Sequence, residues 1–261
     1  MSEPLLIEQI EPEIVLLTLN VQEKRNSMTP ELTQAWEAAI RALNQDQSVR
    51  AIIVTGAGSA FCAGGDLDWL ESTVRSNASV STLRSTMSNF YQTWLSIRRL
   101  AIPSIAAVNG PAIGAGLCLA LACDLRYAGP AARFSAPFTA LGVHPGMAAT
   151  WLLPEAVGVP GAREMFFTGR VLNAEEAVQW GLASAVSDDV VAHAIDVAKT
   201  VVATDALSVE FTKAALAHPY RTFDESLDWE GCAQPMTMME GADTAPVLER
   251  HGIHRSRESQ S

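Results

Sequence analysis

Two glycine-rich segments carry the residues best suited to chemistry in this chain. Phe61-Cys62-Ala63-Gly64-Gly65-Asp66 comes shortly after the β-branched run Ala51-Ile52-Ile53-Val54-Thr55, and Asn109 to Gly116 follows Ser104 to Val108. The second segment runs at once into an apolar helix that begins near Gly114-Ala115-Gly116. The first N–H groups of a helix have no intrahelical acceptor, and the helix dipole favours negative charge there. Glycine and alanine let a ligand come close to that backbone. Two N–H donors converging from the two loops would polarise a carbonyl oxygen without any charged side chain, as an oxyanion hole does. The plainer alternative is a pair of tight turns that hold no ligand. His144, in Gly142-Val143-His144-Pro145-Gly146, adds a group whose ordinary pKa of ~6.5 suits proton transfer at neutral pH. A histidine bonded to backbone in a tight turn is the other reading of it.

The elements that position these loops follow from the pattern of apolar residues. Ile14-Val15-Leu16-Leu17-Thr18-Leu19 is nearly continuous and β-branched, as a strand covered on both faces would be. Thr29-Pro30-Glu31 reads as an N-cap followed by proline at the first helical position, with Leu32, Ala35, Trp36, Ala39, Ile40 and Leu43 at helical spacing. Ala51–Thr55 is a second strand, a long polar helix is expected over Ser79–Arg99, and Ser104–Val108 is a third strand. Asn173-Ala174-Glu175-Glu176 is a capping-box pattern, with Gly181 placed to end that helix. Beyond Asp188 the spacing is helical over Val190–Thr204, Leu207–Ala217 and Phe223–Met239. The fold class is therefore α/β, with an expected core over residues 1–200 and a helical region over 201–261 that ends in a polar, frayed tail from His251.

Composition excludes several functions. The 261 residues carry 29 acidic against 18 basic side chains, a net charge of −11, which acts against a nucleic-acid or anionic-membrane surface. No apolar run reaches the ~18–20 residues of a spanning helix, and the acidic N-terminus shows no secretory signal. Four cysteines without a CxxC pair and five scattered histidines form neither a disulfide framework nor a metal site, so the reducing cytoplasm is the expected compartment. From Ala101 to Gly161 the only charged residues are Asp124, Arg126, Arg133 and Glu155, which marks a core or an interface. Val54-Thr55-Gly56-Ala57-Gly58 opens like a dinucleotide loop, but no GxGxxG follows. None of Tyr91, Tyr127 and Tyr220 has a lysine four residues on. No GxSxG elbow is present either.

Taken together, the segments resemble the crotonase (enoyl-CoA hydratase/isomerase) superfamily. The matching pieces are Lys24-Arg25-Asn26-Ser27, Phe61 to Leu67, Ile105 to Gly116, Ala122-Cys123-Asp124-Leu125-Arg126-Tyr127-Ala128, Gly142 to Pro145, and Thr168-Gly169-Arg170 through Gly181-Leu182. The resemblance implies a ClpP-like spiral of ββα turns with a C-terminal helical trimerisation region, assembled as a homotrimer or a hexamer made of two trimers. It implies an acyl-CoA thioester as partner, with coenzyme A part of the substrate and no separate cofactor or metal. Carried over, the N–H groups of Gly65 and Ala115 form the oxyanion hole for the thioester oxygen. Lys24, Arg25, Ser27, Ala63, Asp66 and Leu67 line the path of the coenzyme. Lys24 and Arg25 either meet its phosphates or are an ordinary solvated basic pair.

The departures from the family pattern bear on the reaction. Hydratases of this kind use two carboxylates, one to activate water and one to handle the α-proton. Here the two positions are Cys118 and Phe138. Phenylalanine moves no proton, and a thiol in an apolar helix turn should be harder to ionise. Cys118 therefore reads as packing or as part of the acyl pocket. Asp68 and Glu71 are read as solvent-facing, and Asp124 as structural. Water addition is not the expected chemistry, whereas double-bond isomerisation, decarboxylation or another lyase step through a thioester enolate is. A non-catalytic acyl-CoA-binding protein on the same fold is the competing expectation.

Overall fold

A five-stranded sheet organises the chain. The computed structural model describes residues 3–76, 79–217 and 222–240. They include β1 (Leu5–Glu11), β2 (Ile14–Leu19), α1 (Pro30–Leu43), β3 (Ala51–Gly56), α2 (Leu67–Arg75), α3 (Val80–Trp94), β4 (Ser104–Val108), β5 (Pro111–Ile113), α4 (Ala115–Ala122), β6 (Leu125–Ala128) and β7 (Arg133–Ser135). These are followed by α5 (Ala149–Thr168), β8 (Val171–Asn173), α6 (Ala174–Gln179) and α7 (Val190–Val202). The sheet order is β1-β2-β3-β4-β6, parallel throughout except for the antiparallel β1 edge. A smaller sheet, β5-β7-β8, lies beside it in the chain path.

The near-continuous apolar strands follow from burial on both faces. Ile14, Leu16, Ile53, Ile105 and Ala107 point to one face, where α7 lays down Val190, Ala194 and Ala198. Val15, Leu17, Ile52, Val54, Ala106 and Val108 point to the other, where Leu32 and Trp36 of α1 and the whole of α4 belong to the same core. All eight residues of α4 are buried, as a helix apolar on every side must be. Thr29 caps α1 by accepting the Leu32 N–H, and Asn173 and Glu176 close the expected capping box on α6.

Three differences from the sequence reading have local causes. The edge strand β1 was not anticipated, because its mixed sequence shows no alternation and leaves Leu6 and Ile7, on opposite faces, both exposed. The expected helix over Ser79–Arg99 is α-helical only to Trp94 and tightens to 3₁₀ geometry over Leu95–Arg99. The short strands of the second sheet, three residues each, are too brief to show a period of two. Residues from Ala203 onward form a separate unit, described by itself, with α8 (Ala206–Leu216) and α9 (Phe223–Glu240). The tail from His251 lies outside the described residues. Among the described residues no helix is long and apolar enough to cross a membrane.

Candidate functional site

Backbone hydrogen bonds lace the two glycine-rich loops together beyond the carboxyl ends of β3 and β4, the edge at which open parallel sheets bind ligands. The N–H groups of Phe61 and Cys62 both donate to the Pro111 carbonyl at 3.1 Å, and Ile113 N–H donates to the Cys62 carbonyl at 3.0 Å. Two asparagines reinforce the join. Asn109 spans Gly56, accepting its N–H and donating to its carbonyl at 2.8 Å. The buried Asn26 side chain donates to the carbonyls of Ala57 and Ala60 and accepts the Val21 N–H. Gly64, at φ +104°, lies so near the second loop that a methyl group on it would fall 2.8 Å from the Ile113 oxygen and 3.5 Å from the Ala115 nitrogen.

This lacing leaves two donors unused. Met28 N–H takes the Gly64 carbonyl at 2.8 Å in a parallel bridge, a pattern that turns the Gly65 N–H to the opposite side. Ala115 is the first residue of α4, so its N–H has no intrahelical partner. Among the described residues neither N–H meets an acceptor. Both positions named for the oxyanion hole are therefore in neighbouring loops with their donors free.

The two positions at which carboxylates were looked for border the same helix start. Cys118 lies within the first turn of α4, buried, with its Sγ 3.8 Å from the Gly146 carbonyl. Burial pushes its thiol well above the usual range, so it stays protonated. Cys62 is pushed up to about 12, also by burial. The Phe138 ring sits against Gly114, 3.9 Å from where a methyl group there would be. The Cys118 and Phe138 side chains at this corner carry no charge.

The expected coenzyme-lining residues divide into two groups. Asp66 is buried and fully engaged: Oδ1 accepts the Trp69 N–H as the N-cap of α2, and Oδ2 accepts Lys24 Nζ at 2.6 Å. Lys24 also meets the exposed Asp68 at 3.0 Å, so its charge is already answered inside the protein. Arg25, in left-handed geometry at φ 50°, is exposed and has no ion-pair partner among the described residues. Leu67 is exposed as well, while Ser27 Oγ donates to the Lys24 carbonyl. Ala63 ties the loop to Arg25 through a backbone bond of 3.0 Å. Glu71 pairs with Arg75 on the exposed face of α2, and Asp124 accepts Ser104 N–H and Oγ–H.

Burial of Asp66 raises its carboxyl pKa, but the bonds from Lys24 and the Trp69 N–H outweigh that, and the net direction is down. A carboxyl lowered in the folded state contributes stability above its unfolded pKa of ~3.9, and that contribution is lost as the pH falls through the folded value. Asp66→Ala should cost ~1–2 kcal/mol at pH 7 through the lost cap. The gap between variant and wild type, read from urea midpoints, should narrow as the pH drops below ~4.

His144 lies on an exposed turn, with Nδ1 2.8 Å from its neighbour's Pro145 carbonyl. That is the backbone-bonded arrangement of the two read from the sequence. Just beyond it Met147 and Ala148 take up left-handed geometry in succession, at φ 55° and 53°. Non-glycine residues seldom do so, and such strain gathers at functional sites.

The sequence profile of the enoyl-CoA hydratase/isomerase family matches residues 9–231. The chain belongs to the enoyl-CoA hydratase/isomerase family. It is 44% identical over 196 residues to the probable enoyl-CoA hydratase EchA14 of Mycobacterium tuberculosis, covering 75% of this chain and 74% of that one. Among solved structures it resembles an enoyl-CoA hydratase from Bacillus anthracis, at a TM-score of 0.86 and 28% identity over 95% of this chain and 96% of that one. It also resembles a monofunctional enoyl-CoA isomerase from Mycobacterium smegmatis, at a TM-score of 0.72 and 32% identity over 87% and 99%. The α/β architecture described above is the crotonase fold of this family.

Within this enoyl-CoA hydratase/isomerase fold, sequence reasoning passed over Tyr91. A methyl group on Gly146 would fall 2.4 Å from the Tyr91 hydroxyl oxygen, so α3 brings this phenol to the carbonyl turn that Cys118 also meets. Tyr91 precedes Cys118 by 27 positions and lies on a different helix, and no local pattern joins the two.

Proposed function

We propose that this protein binds an acyl-CoA thioester, seats the thioester oxygen between the N–H groups of Gly65 and Ala115, and stabilises the enolate formed there. The observation that carries the reading is a pair of backbone donors, in adjoining loops laced together, that meet no acceptor among the described residues. Donors fixed in a water-poor site need no reorganisation as charge develops, and one such donor is typically worth ~3–4 kcal/mol of barrier. Arg25 is the free cation best placed to meet phosphates of the coenzyme. Lys24 and Asp66 instead hold the loop in shape.

The chemistry proposed is double-bond isomerisation, decarboxylation or another lyase step through the enolate. Cys118 stays a thiol and Phe138 is a hydrocarbon, so neither side chain can activate water for addition. The same two residues favour a second reading, a non-catalytic acyl-CoA-binding protein. We further propose a homo-oligomer, trimer or hexamer, of the reducing cytoplasm, with the exposed Leu141, Phe167 and Val171 as apolar surface for a second copy.

The test is incubation with 2-enoyl-, 3-enoyl- and malonyl-type CoA esters, followed by mass spectrometry beside a binding titration. Product from a 3-enoyl or malonyl-type ester, with slow hydration of 2-enoyl esters, is the expected result. Micromolar binding without product from any ester would leave the binder reading standing. Absence of binding to every thioester would remove both.

A further inference from the structure

We propose that the Tyr91 phenol is the proton carrier of this site, occupying the space that a glutamate at position 118 would have filled. The proposal rests on the acyl-CoA reading above. A cysteine ends well short of the point that glutamate oxygens would reach. At that corner the Tyr91 ring from α3 closes on Gly146, whose carbonyl lies 3.8 Å from Cys118 Sγ. Phe90, next to Tyr91 on α3, is stacked on Trp69 and helps to fix this end of the helix. Among the described residues the Tyr91 hydroxyl makes no hydrogen bond, yet it is not sealed off from solvent. An unpartnered phenol beside a buried thiol is a donor with nothing of the protein to donate to.

Its protonation state decides which way it works. Partial burial, and with it the neighbouring Cys118, raises the phenol above its ordinary range, so it is neutral at physiological pH. With a malonyl-type ester the forward step is therefore a donation: the bond to the carboxylate carbon breaks, carbon dioxide leaves, and its electron pair becomes the enolate. The electron pair on the enolate carbon takes the proton from Tyr91 Oη, a C–H bond forms as the O–H bond breaks, and the pair stays on the phenolate oxygen. Solvent water then returns a proton to that oxygen along the open side of the ring. In the reverse direction the same oxygen, once ionised, removes the α-proton of the thioester, so exchange of that proton reports the same group and quickens as the pH rises.

The experiment compares wild type, Tyr91→Phe and His144→Ala in D2O with butyryl-CoA. Deuterium entering at the α-carbon is followed by mass spectrometry, and the same ester is titrated for binding. Tyr91→Phe keeps the ring and its stacking neighbours, so unchanged thermal unfolding and binding within about twofold are expected. Its exchange should be roughly 100-fold slower, whereas His144→Ala should exchange at the wild-type rate. Wild-type exchange in Tyr91→Phe would overturn the assignment, and so would a loss of exchange matched by an equal loss of binding. Loss confined to His144→Ala would give the role to the histidine. Wild-type protein that binds butyryl-CoA but exchanges nothing would refute Tyr91 as carrier and leave acyl-CoA binding intact. Failure to bind at all would bring down the acyl-CoA reading and this role with it.

Discussion

Ala115→Pro should fold normally and yet lower any enolate-forming turnover by roughly 100–1000-fold. Proline removes one N–H of the donor pair and sets a methylene group where its hydrogen pointed. Position 115 is the first of α4, where the N–H has no helical acceptor and the φ of proline already suits the helix. The residue before a proline is confined to extended geometry by its own Cβ. Gly114 has none, and it sits at φ 56° and ψ −114° without that clash. Ala115→Gly is the control, because it keeps the donor. Steady-state kcat for the three proteins, beside their thermal unfolding, settles the matter. A folded Ala115→Pro enzyme at the wild-type rate would refute the oxyanion hole.

Gly116→Ala gives the largest expected change in stability, a loss of roughly 3 kcal/mol or more. In an open helix the same change would stabilise by up to ~1 kcal/mol, since alanine is the better helix former. Here the added methyl group would fall 2.1 Å from the Cys62 carbonyl oxygen and 2.8 Å from the Cys62 Cβ. That oxygen is not free to retreat, because it accepts the Ile113 N–H in the join between the loops. Urea unfolding of the variant should show the fall against the sign of helix propensity. Wild-type stability would mean that the two loops are not packed as closely as described. Any variant that survives folding should also bind thioester poorly, because the clash pries Gly65 away from Ala115.

Much of this was legible in the residues, for reasons that are local. The runs Ile14–Leu19, Ala51–Thr55 and Ser104–Val108 announce strands covered on both faces, and they form the middle of the large sheet. Caps at Thr29 and Asn173 are read from side chains that satisfy N–H groups three residues on. The glycine loops could be picked out because glycine is needed wherever two backbones touch. The absence of carboxylates at positions 118 and 138 is also plain in the sequence, once the family resemblance says where to look.

Other features depend on what comes together from distant parts of the chain. Lys24 and Arg25 are adjacent and chemically alike, yet Lys24 is taken up by Asp66 and Asp68 while Arg25 has no ion-pair partner among the described residues. Only the meeting of residues more than forty apart separates their roles. His144 stood out in the sequence as the lone histidine of a stretch with few charges, but the fold puts it in an exposed segment against Pro145. Tyr91 did not stand out at all, because its neighbours Cys118 and Gly146 come from other elements. The amino-acid sequence by itself determined the buried strands and the helix caps, which are written in residue type and local spacing, and its motifs carried the likeness to the family. The tertiary structure alone decided which backbone donors meet no acceptor among the described residues and which phenol comes to the Gly146 turn. Hydrogen-bond satisfaction and close approach are properties of atoms distant in the chain, and no window of sequence contains both partners.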